Sequence, residues 1–379
     1  MNLRLHGKEI ITGPGSLKAI KSLEYERYFI VTGKSSMFKN GTIGRMEEML
    51  QEKKATYEIF SGIGANPTTK EVLAGLEAMK VFGPQCVLAV GGGSAIDAAK
   101  VMALMAEHPK LDMDAITGDI LTLERKNIFL VAIPSTSGTA TEVTKNAVVT
   151  YPEKELKIGV KAYGLLPDLA ILDGELTLSM PKDVVAHTGM DAMTHALECY
   201  INHKCEEFGE VLTMGAVEGL LAYLPASFQN GDLESRQKVH IYQAMAGTAF
   251  HNIGLGMDHG ISHAFGGKYD YGHGLLNAIG LPYVLAFNRK DPIVDQKLKN
   301  LEKRLGFKDV VEAIHQMNRT LELPASISQL GLAEEDYLGD LEGLLENALL
   351  GSTRSNPVPM DRETMKKVLD SIFYGRIMF

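Results

Sequence analysis

The stretch VLAVGGGSAIDAAKVM, residues 87–102, runs from an apolar segment through three consecutive glycines into a helical pattern. Glycine lets the main chain approach a ligand closely, and the first turn of a helix presents free N–H groups to phosphate oxygens. The stretch therefore predicts a strand, a turn and a helix that bind a pyrophosphate. A tight turn without a ligand is the alternative. The turn is neither the standard G-x-G-x-x-G fingerprint nor a Walker A loop, because no G-K-[ST] follows.

Strand-like and helical runs alternate on both sides of this turn. RYFIVTG, TYEIFSGI and CVLAVGGG are each followed by a helical segment, and IFLVAIPSTS is a further strand-like run. Such alternation predicts βαβ units with a mostly parallel sheet. NAVVTYPEKELKIGV reads as a hairpin and DLAILD as a short strand. A second polar turn, PSTSGTATEVT at residues 134–144, ends another strand and could line the same ligand.

The pattern changes near residue 175, after which it is helical almost to the end. The sequence therefore predicts two domains, an α/β domain at residues 1–175 and an all-helical domain at residues 176–379.

Two clusters in the helical part have the spacing of metal ligands. MDHGISHAFGGKYDYGHG, residues 257–274, holds three of the chain's eleven histidines, and on a helix His259 and His263 would share one face. In VVAHTGMDAMTHALECYINH, residues 184–203, Asp191 and His195 are also four residues apart. Taken singly, each could be a packed structural residue. Asp191 and His195, together with His259 and His273, predict a set of one aspartate and three histidines that suits Fe(II) or Zn(II).

Composition excludes several classes of partner. The chain has 379 residues and a net charge of -9, from 38 basic and 47 acidic residues, and no long basic run. Nucleic acid and anionic membrane surfaces are therefore poor partners. The three cysteines suggest no disulfide scaffold, the N-terminal segment shows no hydrophobic signal core, and no stretch is expected to approach the roughly 20 apolar residues of a membrane span. The expectation is a reduced cytoplasmic location.

Four blocks of the sequence carry a resemblance to a known family. GGGSAIDAAK, IPSTSGTATEVT, HTGMDAMTHALECY and MDHGISHAFGG...GHGLLNAIGLP resemble, in order and separation, those of the iron-containing (group III) alcohol dehydrogenases. The resemblance implies a Rossmann-like dinucleotide-binding domain followed by an all-α metal-binding domain, as in dehydroquinate synthase-like folds. It also implies a metal-dependent NAD(P)-linked alcohol dehydrogenase that works chiefly as an aldehyde reductase, and a homodimer or higher homo-oligomer.

The resemblance implies roles for individual residues. The metal ligands would be Asp191, His195, His259 and His273, and His263 would handle a proton. The cofactor pyrophosphate would lie on Gly92, Gly93 and Ser94, with Asp97 on the same helix near the cofactor. The remaining cofactor contacts would be Thr136 and Thr139, under the adenosine and nicotinamide sides, and Lys157, at a ribose hydroxyl.

Cofactor preference is predicted from FIVTGKSSMFKNG. Gly33 stands where NAD-preferring relatives tend to have an acidic residue that would repel the extra phosphate of NADP. The following Lys34, Ser35 and Ser36, with Lys39 nearby, offer charge and hydroxyls to that phosphate. The expectation is NADP(H) over NAD(H), and the alternative is an ordinary solvated turn.

Other functions stay open at this point. A dehydroquinate-synthase-like lyase, a polyol- or phosphonoaldehyde-specific relative and a non-catalytic nucleotide-binding protein could use the same scaffold. The chain also departs from the family pattern at Gly272, where proline is common, and in NHKCEEFGEVLT, which lacks the usual NP-x-[ST]-D turn. Both departures concern the substrate more than the reaction, and the affinity order of divalent metals leaves Zn(II) open beside Fe(II).

Overall fold

A computed structural model describes residues 3–114, 116, 121–154 and 156–379. The chain divides into two compact units between Met180 and Pro181. The sequence places the change of pattern at residue 175, inside a 3-10 turn, Gly174–Thr177, whose buried side chains belong to the first unit.

The first unit is built on a parallel sheet. The strands of this unit are β1 Glu9–Thr12, β2 Arg27–Gly33, β3 Thr56–Ile63, β4 Cys86–Gly91, β5 Phe129–Pro134, β6 Asn146–Tyr151, β7 Leu156–Lys161 and β8 Leu169–Leu172. The sheet has the order β1, β8, β5, β4, β2, β3, and the predicted α/β class is confirmed. A separate antiparallel pair, β6 and β7, is the predicted hairpin. The sequence did not predict β1, a four-residue strand that is defined by its pairing with β8.

Alternate residues of β4 enter two apolar cores on opposite faces of the sheet. Val87 and Ala89 pack into one core with the helices at residues 69–82 and 93–107, and Leu88 and Val90 pack into the other with the helix at residues 42–52. Burial on both faces explains why this strand reads as a continuous apolar run. The helices of this unit are α1 Ser36–Lys39, α2 Thr42–Glu52, α3 Thr69–Phe82 and α4 Gly93–Glu107.

The second unit is helical throughout its regular structure, as predicted. Its helices are α5 Lys182–Ile201, α6 Glu207–Gln229, α7 Leu233–Ile253, α8 Met257–Tyr269, α9 His273–Asn288, α10 Pro292–Leu305, α11 Val310–Thr320, α12 Glu334–Ala348 and α13 Arg362–Tyr374. By length and composition alone α6 is apolar enough to span a membrane, which the sequence reading overlooked. It packs against α5 and α7 in the bundle, as the core helix of a globular domain does.

Candidate metal centre and nucleotide-binding loops

Three helices of the second unit bring the predicted metal ligands together. Asp191 and His195 lie one turn apart on α5, His259 lies in the first turn of α8, and His273 is the first residue of α9. Both α5 and α8 pack against α9, so ligands that are more than 60 residues apart in sequence meet in one place.

The donor atoms surround a single oxygen. Oδ1 of Asp191 lies 3.9 Å from Nε2 of His195, 3.8 Å from Nε2 of His259 and 3.7 Å from Nε2 of His273. Donor atoms of Asp191, His195 and His259 all lie within 4.8 Å of one another. Ligands bound at about 2.1 Å to one tetrahedral ion are about 3.4 Å apart, so the set fits a divalent metal after a small contraction.

The protonation states also fit metal binding. Burial alone would raise the pKa of Asp191, but the imidazoles of His195, His273 and His259 together with the amide of Asn277 hold it below its usual range. Burial lowers the pKa of His259 well below its usual value, and the neighbouring histidines lower it further. An ionised carboxylate and a neutral imidazole are the forms that bind metal.

His263 lies beside this cluster without joining it. Its ring centre is 6.5 Å from that of His259, and it stacks on His273 at 4.9 Å. The side chain is exposed, whereas His195 and His259 are buried. His263 is therefore open to solvent, whereas His195, His259 and His273 direct Nε2 at Asp191.

Sequence reasoning missed two buried polar residues at the cluster. Nδ1 of His259 lies 2.7 Å from Oε2 of Glu198, and Nδ2 of Asn277 donates to Oδ1 of Asp191 at 2.7 Å. Burial raises the pKa of Glu198 to about 7, against the opposing effect of N–H donors. Helical spacing could have found both, because Glu198 is seven residues after Asp191 and Asn277 is four after His273.

In the first unit, the two predicted nucleotide-binding turns touch each other. A side-chain carbon built on Gly93 would come within 2.8 Å of Oγ1 of Thr139, and one on Gly92 would meet Thr136 at 3.6 Å. A side-chain carbon built on Gly91, at the end of β4, would lie 4.0 Å from the main-chain nitrogen of Gly33, at the end of β2. These turns therefore share the carboxyl edge of the sheet, where open α/β sheets bind ligands.

The polar groups of α4 are largely engaged by protein partners. The hydroxyl of Ser94 donates to the carbonyl of Ala65, and the carboxylate of Asp97 accepts from the Thr141 hydroxyl and from the N–H of Val148. Lys100, which sequence reasoning also missed, is fully buried. Its ammonium donates to the carbonyls of Thr141 and Thr144 at 2.8 Å and of Asn146 at 2.5 Å, and so ties the second polar turn to α4.

The predicted cofactor residues Ser35, Ser36 and Lys157, which lie outside the two polar turns, are exposed. Ser35 and Ser36 begin α1 with no side-chain cap bond, directly after Gly33. Lys157 lies on β7 opposite Thr150, away from the glycine turn in sequence. Nζ of Lys34 lies 3.6 Å from Oε1 of Glu71, a carboxylate that also accepts from the main-chain N–H groups of Gly64 and Thr68.

Comparison with known proteins covers nearly the whole chain. Residues 7–174 match the family described as iron-containing alcohol dehydrogenase, and residues 185–373 match the C-terminal domain of the same family. The chain belongs to the iron-containing alcohol dehydrogenase family. The resemblance and the predicted fold are therefore confirmed.

Relatives of this iron-containing alcohol dehydrogenase carry related names. An NADPH-dependent butanol dehydrogenase from Clostridium saccharobutylicum is 34% identical over 97% of each chain. The 1-propanol dehydrogenase PduQ of Salmonella typhimurium is 33% identical over 83% of this chain and 85% of its own. The structure of an iron-containing alcohol dehydrogenase from Thermococcus thioreducens superposes with a TM-score of 0.93 at 30% identity, covering 99% of this chain and 100% of that one. The protein is an NAD(P)-linked alcohol dehydrogenase, an oxidoreductase, and membership of the family favours this activity over the lyase alternative.

Proposed function

We propose that this alcohol dehydrogenase reduces short-chain aldehydes with NADPH at a divalent metal bound by Asp191, His195, His259 and His273. The observation that carries the proposal is the convergence of three histidine Nε2 atoms within 3.7 to 3.9 Å of one carboxylate oxygen. Three imidazoles and one carboxylate are a donor set that suits Fe(II) and also Zn(II).

When bound, a divalent ion supplies a Lewis acid that polarises the carbonyl group, and the nicotinamide supplies the hydride. The residues of the chain position these groups and offset their charge. Asp191 contributes a negative charge in a buried setting, where an electrostatic interaction is stronger than in water. The ring of Phe250 stacks on His195 with 4.4 Å between centres and restricts that ligand's orientation.

We propose that His263 donates the proton that the aldehyde oxygen needs. Reduction of an aldehyde needs one proton at the oxygen, and histidine is the side chain that most often serves as a general acid near neutral pH. The exposed ring of His263 can take that proton back from solvent, and its stacking on His273 keeps it beside the ligand cluster. A buried ligand such as His259 has no such exchange with solvent.

The glycine turn supports the pyrophosphate assignment. Helix α4 begins at Gly93 with Gly92 as its N-cap, and no side chain caps its first N–H groups. Those groups and the positive end of the helix are therefore available to an anion. Thr136 and Thr139 border the same turn and are proposed to contact the cofactor, as are Ser94, Asp97 and Lys157.

A preference for NADPH over NADH is the finer part of this proposal. Gly33 carries no acidic group at the end of β2, and the exposed Lys34, Ser35 and Ser36 follow it directly. Glu71 is the nearby acid, and its charge is offset by Lys34 and by two main-chain N–H donors. The name of the Clostridium saccharobutylicum relative, an NADPH-dependent butanol dehydrogenase, supports both this preference and a short alkyl substrate.

We retain Fe(II) as the proposed metal, a homo-oligomer as the proposed assembly and the cytoplasm as the proposed compartment. Cys86, Cys199 and Cys205 are buried free thiols, which is compatible with a reducing compartment.

An anaerobic reconstitution tests the proposed function. The purified protein is stripped with a chelator, loaded with Fe(II) or with Zn(II), and assayed by the oxidation of NADPH and of NADH with aldehydes of two to six carbons. We expect metal-dependent oxidation with a higher kcat/KM for NADPH. A fully loaded protein that oxidises neither cofactor with any aldehyde would overturn the proposed reaction, and a higher kcat/KM for NADH would overturn the cofactor preference alone.

A further inference from the structure

Glu198 is buried on α5 beside the candidate metal ligands, with 1% of its side chain exposed. Its carboxylate accepts three hydrogen bonds. The N–H of Asp258 donates to Oε1 at 2.6 Å, and the N–H of Gly256 donates to Oε2 at 3.0 Å. The third partner is Nδ1 of His259, 2.7 Å from Oε2.

Two of these bonds cap α8 from another helix. The N-cap residue of α8 is Gly256, which has no side chain to accept from the first turn, and Glu198 takes that role. A side-chain carbon on Gly256 would lie 2.8 Å from Oε1 of Glu198, so the close approach depends on glycine. The carboxylate is therefore held in one place relative to the helix that carries His259.

The third bond determines which nitrogen of His259 carries the proton. A carboxylate in contact with N–H donors acts as an acceptor, so Nδ1 of His259 must donate and Nε2 keeps its lone pair. A second contact agrees with this tautomer, because the amide nitrogen of Asn277, a donor, lies 3.3 Å from Nε2. That Nε2 is the atom that lies 3.8 Å from Oδ1 of Asp191.

We propose that Glu198 is a positioning residue that holds His259 in the Nδ1–H tautomer, with Nε2 directed at Asp191, and thereby raises the affinity of the site for a divalent metal. This inference rests on the metal site of the proposed function. A carboxylate behind a ligating histidine fixes the ring and increases its basicity, and loss of such a group typically weakens metal binding 10- to 100-fold. If Glu198 served only as a helix cap, its loss would weaken folding and leave metal affinity in the folded protein unchanged.

The matched control is Asn356. Its Oδ1 accepts from the N–H of Met257 at 3.3 Å, at the same start of α8, and its amide otherwise bonds to Asn288 and to the carbonyl of Val358. Asn356→Ala therefore disturbs the same helix start without touching the imidazole. Glu198→Gln keeps the shape of the side chain and removes its charge.

The test measures the Zn(II) dissociation constant of the chelator-stripped protein by competition with a chromophoric chelator, for wild type, Glu198→Gln and Asn356→Ala. Thermal unfolding of each metal-free variant confirms that it is folded. We expect Zn(II) binding to weaken about 10- to 100-fold in Glu198→Gln and to change less than about threefold in Asn356→Ala. In the metal-free wild type, the ¹⁵N spectrum of labelled histidine should show the Nδ1–H form for His259, assigned by its absence in His259→Ala.

The outcomes separate the two proposals. Failure of the wild type to bind Zn(II) would overturn the proposed metal site and this inference with it. Tight binding by the wild type and by Glu198→Gln alike would overturn only the role of Glu198, as would equal weakening in Asn356→Ala. A His259 protonated at Nε2 in the wild type would contradict the tautomer directly.

Discussion

The amide nitrogen of Asn277 lies 2.7 Å from Oδ1 of Asp191, the oxygen around which the three histidines are grouped. The same nitrogen lies 3.2 Å from Nε2 of His273 and 3.3 Å from Nε2 of His259. One neutral donor thus faces three of the four candidate ligand atoms. A carboxylate oxygen has lone pairs for both this hydrogen bond and a metal, whereas each Nε2 has a single lone pair and must release the amide to bind a metal.

Replacement of Asn277 by leucine should weaken the metal site. Leucine has a similar volume but cannot donate, so Asp191 would lose a hydrogen bond that helps to hold its pKa low. We expect divalent metal affinity to fall about tenfold, the lower end of the effect of removing a supporting group. Chelator competition on the stripped protein measures this change, and an unchanged dissociation constant would show that the imidazoles alone define the site.

Two neighbouring histidines should respond differently to the same substitution. His259→Ala should abolish retention of the metal, whereas His263→Ala should keep the metal and lower kcat by about 10²-fold or more, the usual contribution of a general acid. Metal content by elemental analysis and kcat by NADPH oxidation separate the two effects. His203→Ala is the control, because His203 pairs with Asp291 outside the cluster. Equal loss of metal from the His259 and His263 variants would refute this division of roles.

Introduction of a carboxylate at the end of β2 should reverse the cofactor preference. A side chain on Gly33 would meet only the carbonyl of Ile63 at 3.7 Å, an ordinary contact, so substitution is tolerated. Gly33→Asp should raise KM for NADPH about 10- to 100-fold by repulsion of its extra phosphate, equivalent to about 1.4 to 2.7 kcal/mol. KM for NADH should stay the same or fall. Gly33→Asn, which has the same shape without the charge, is the control, and a similar rise in its KM for NADPH would point to a steric effect instead.

A buried ion pair in the α/β unit should make stability depend on pH. Arg125 and Asp168 lie 2.9 Å apart, with side chains 4% and 18% exposed. Burial would raise the pKa of Asp168, but Arg125 and the N–H of Leu130 hold it below its usual range. Asp168→Asn leaves the guanidinium without its carboxylate and should cost roughly 3 kcal/mol at pH 7.

The ion pair should stabilise the folded protein at neutral pH and lose this effect in acid, because the pKa of Asp168 is lowered in the folded state. Asp168 contributes to the free energy of unfolding at pH values above its unfolded-state pKa of about 3.9. That contribution is lost as the pH falls through its lower, folded-state pKa. The free energy of unfolding, measured with urea, should therefore differ most between wild type and Asp168→Asn at pH 6 to 7, and the difference should shrink below about pH 4. Glu124→Gln, at an exposed pair with Arg4, should show little effect at any pH. A difference for Asp168→Asn that stays constant down to pH 3.5 would contradict the assignment.

Local patterns were sufficient to predict most of the architecture. The apolar run of β4 and the glycines after it indicate a buried parallel strand that leads into a helix, because strand burial and helix initiation depend on neighbouring residues. The four-residue spacing of Asp191 and His195 similarly places both side chains on one face of α5. The short edge strand β1 lacks such a pattern, since only its pairing with β8 makes it a strand.

The fold class, the family and the residue types that could bind a metal and a nucleotide all follow from the amino-acid sequence. The polar residues that support these groups follow only from the packing of the helices in three dimensions. Glu198 meets His259 across 61 positions, Asn277 meets Asp191 across 86, and Lys100 reaches the carbonyl of Thr141 across 41. Periodicity identifies the face of a helix on which a side chain lies, but the partner on that face depends on how α5, α8 and α9 pack. That packing is set by the summed burial of many apolar side chains, which no single motif records.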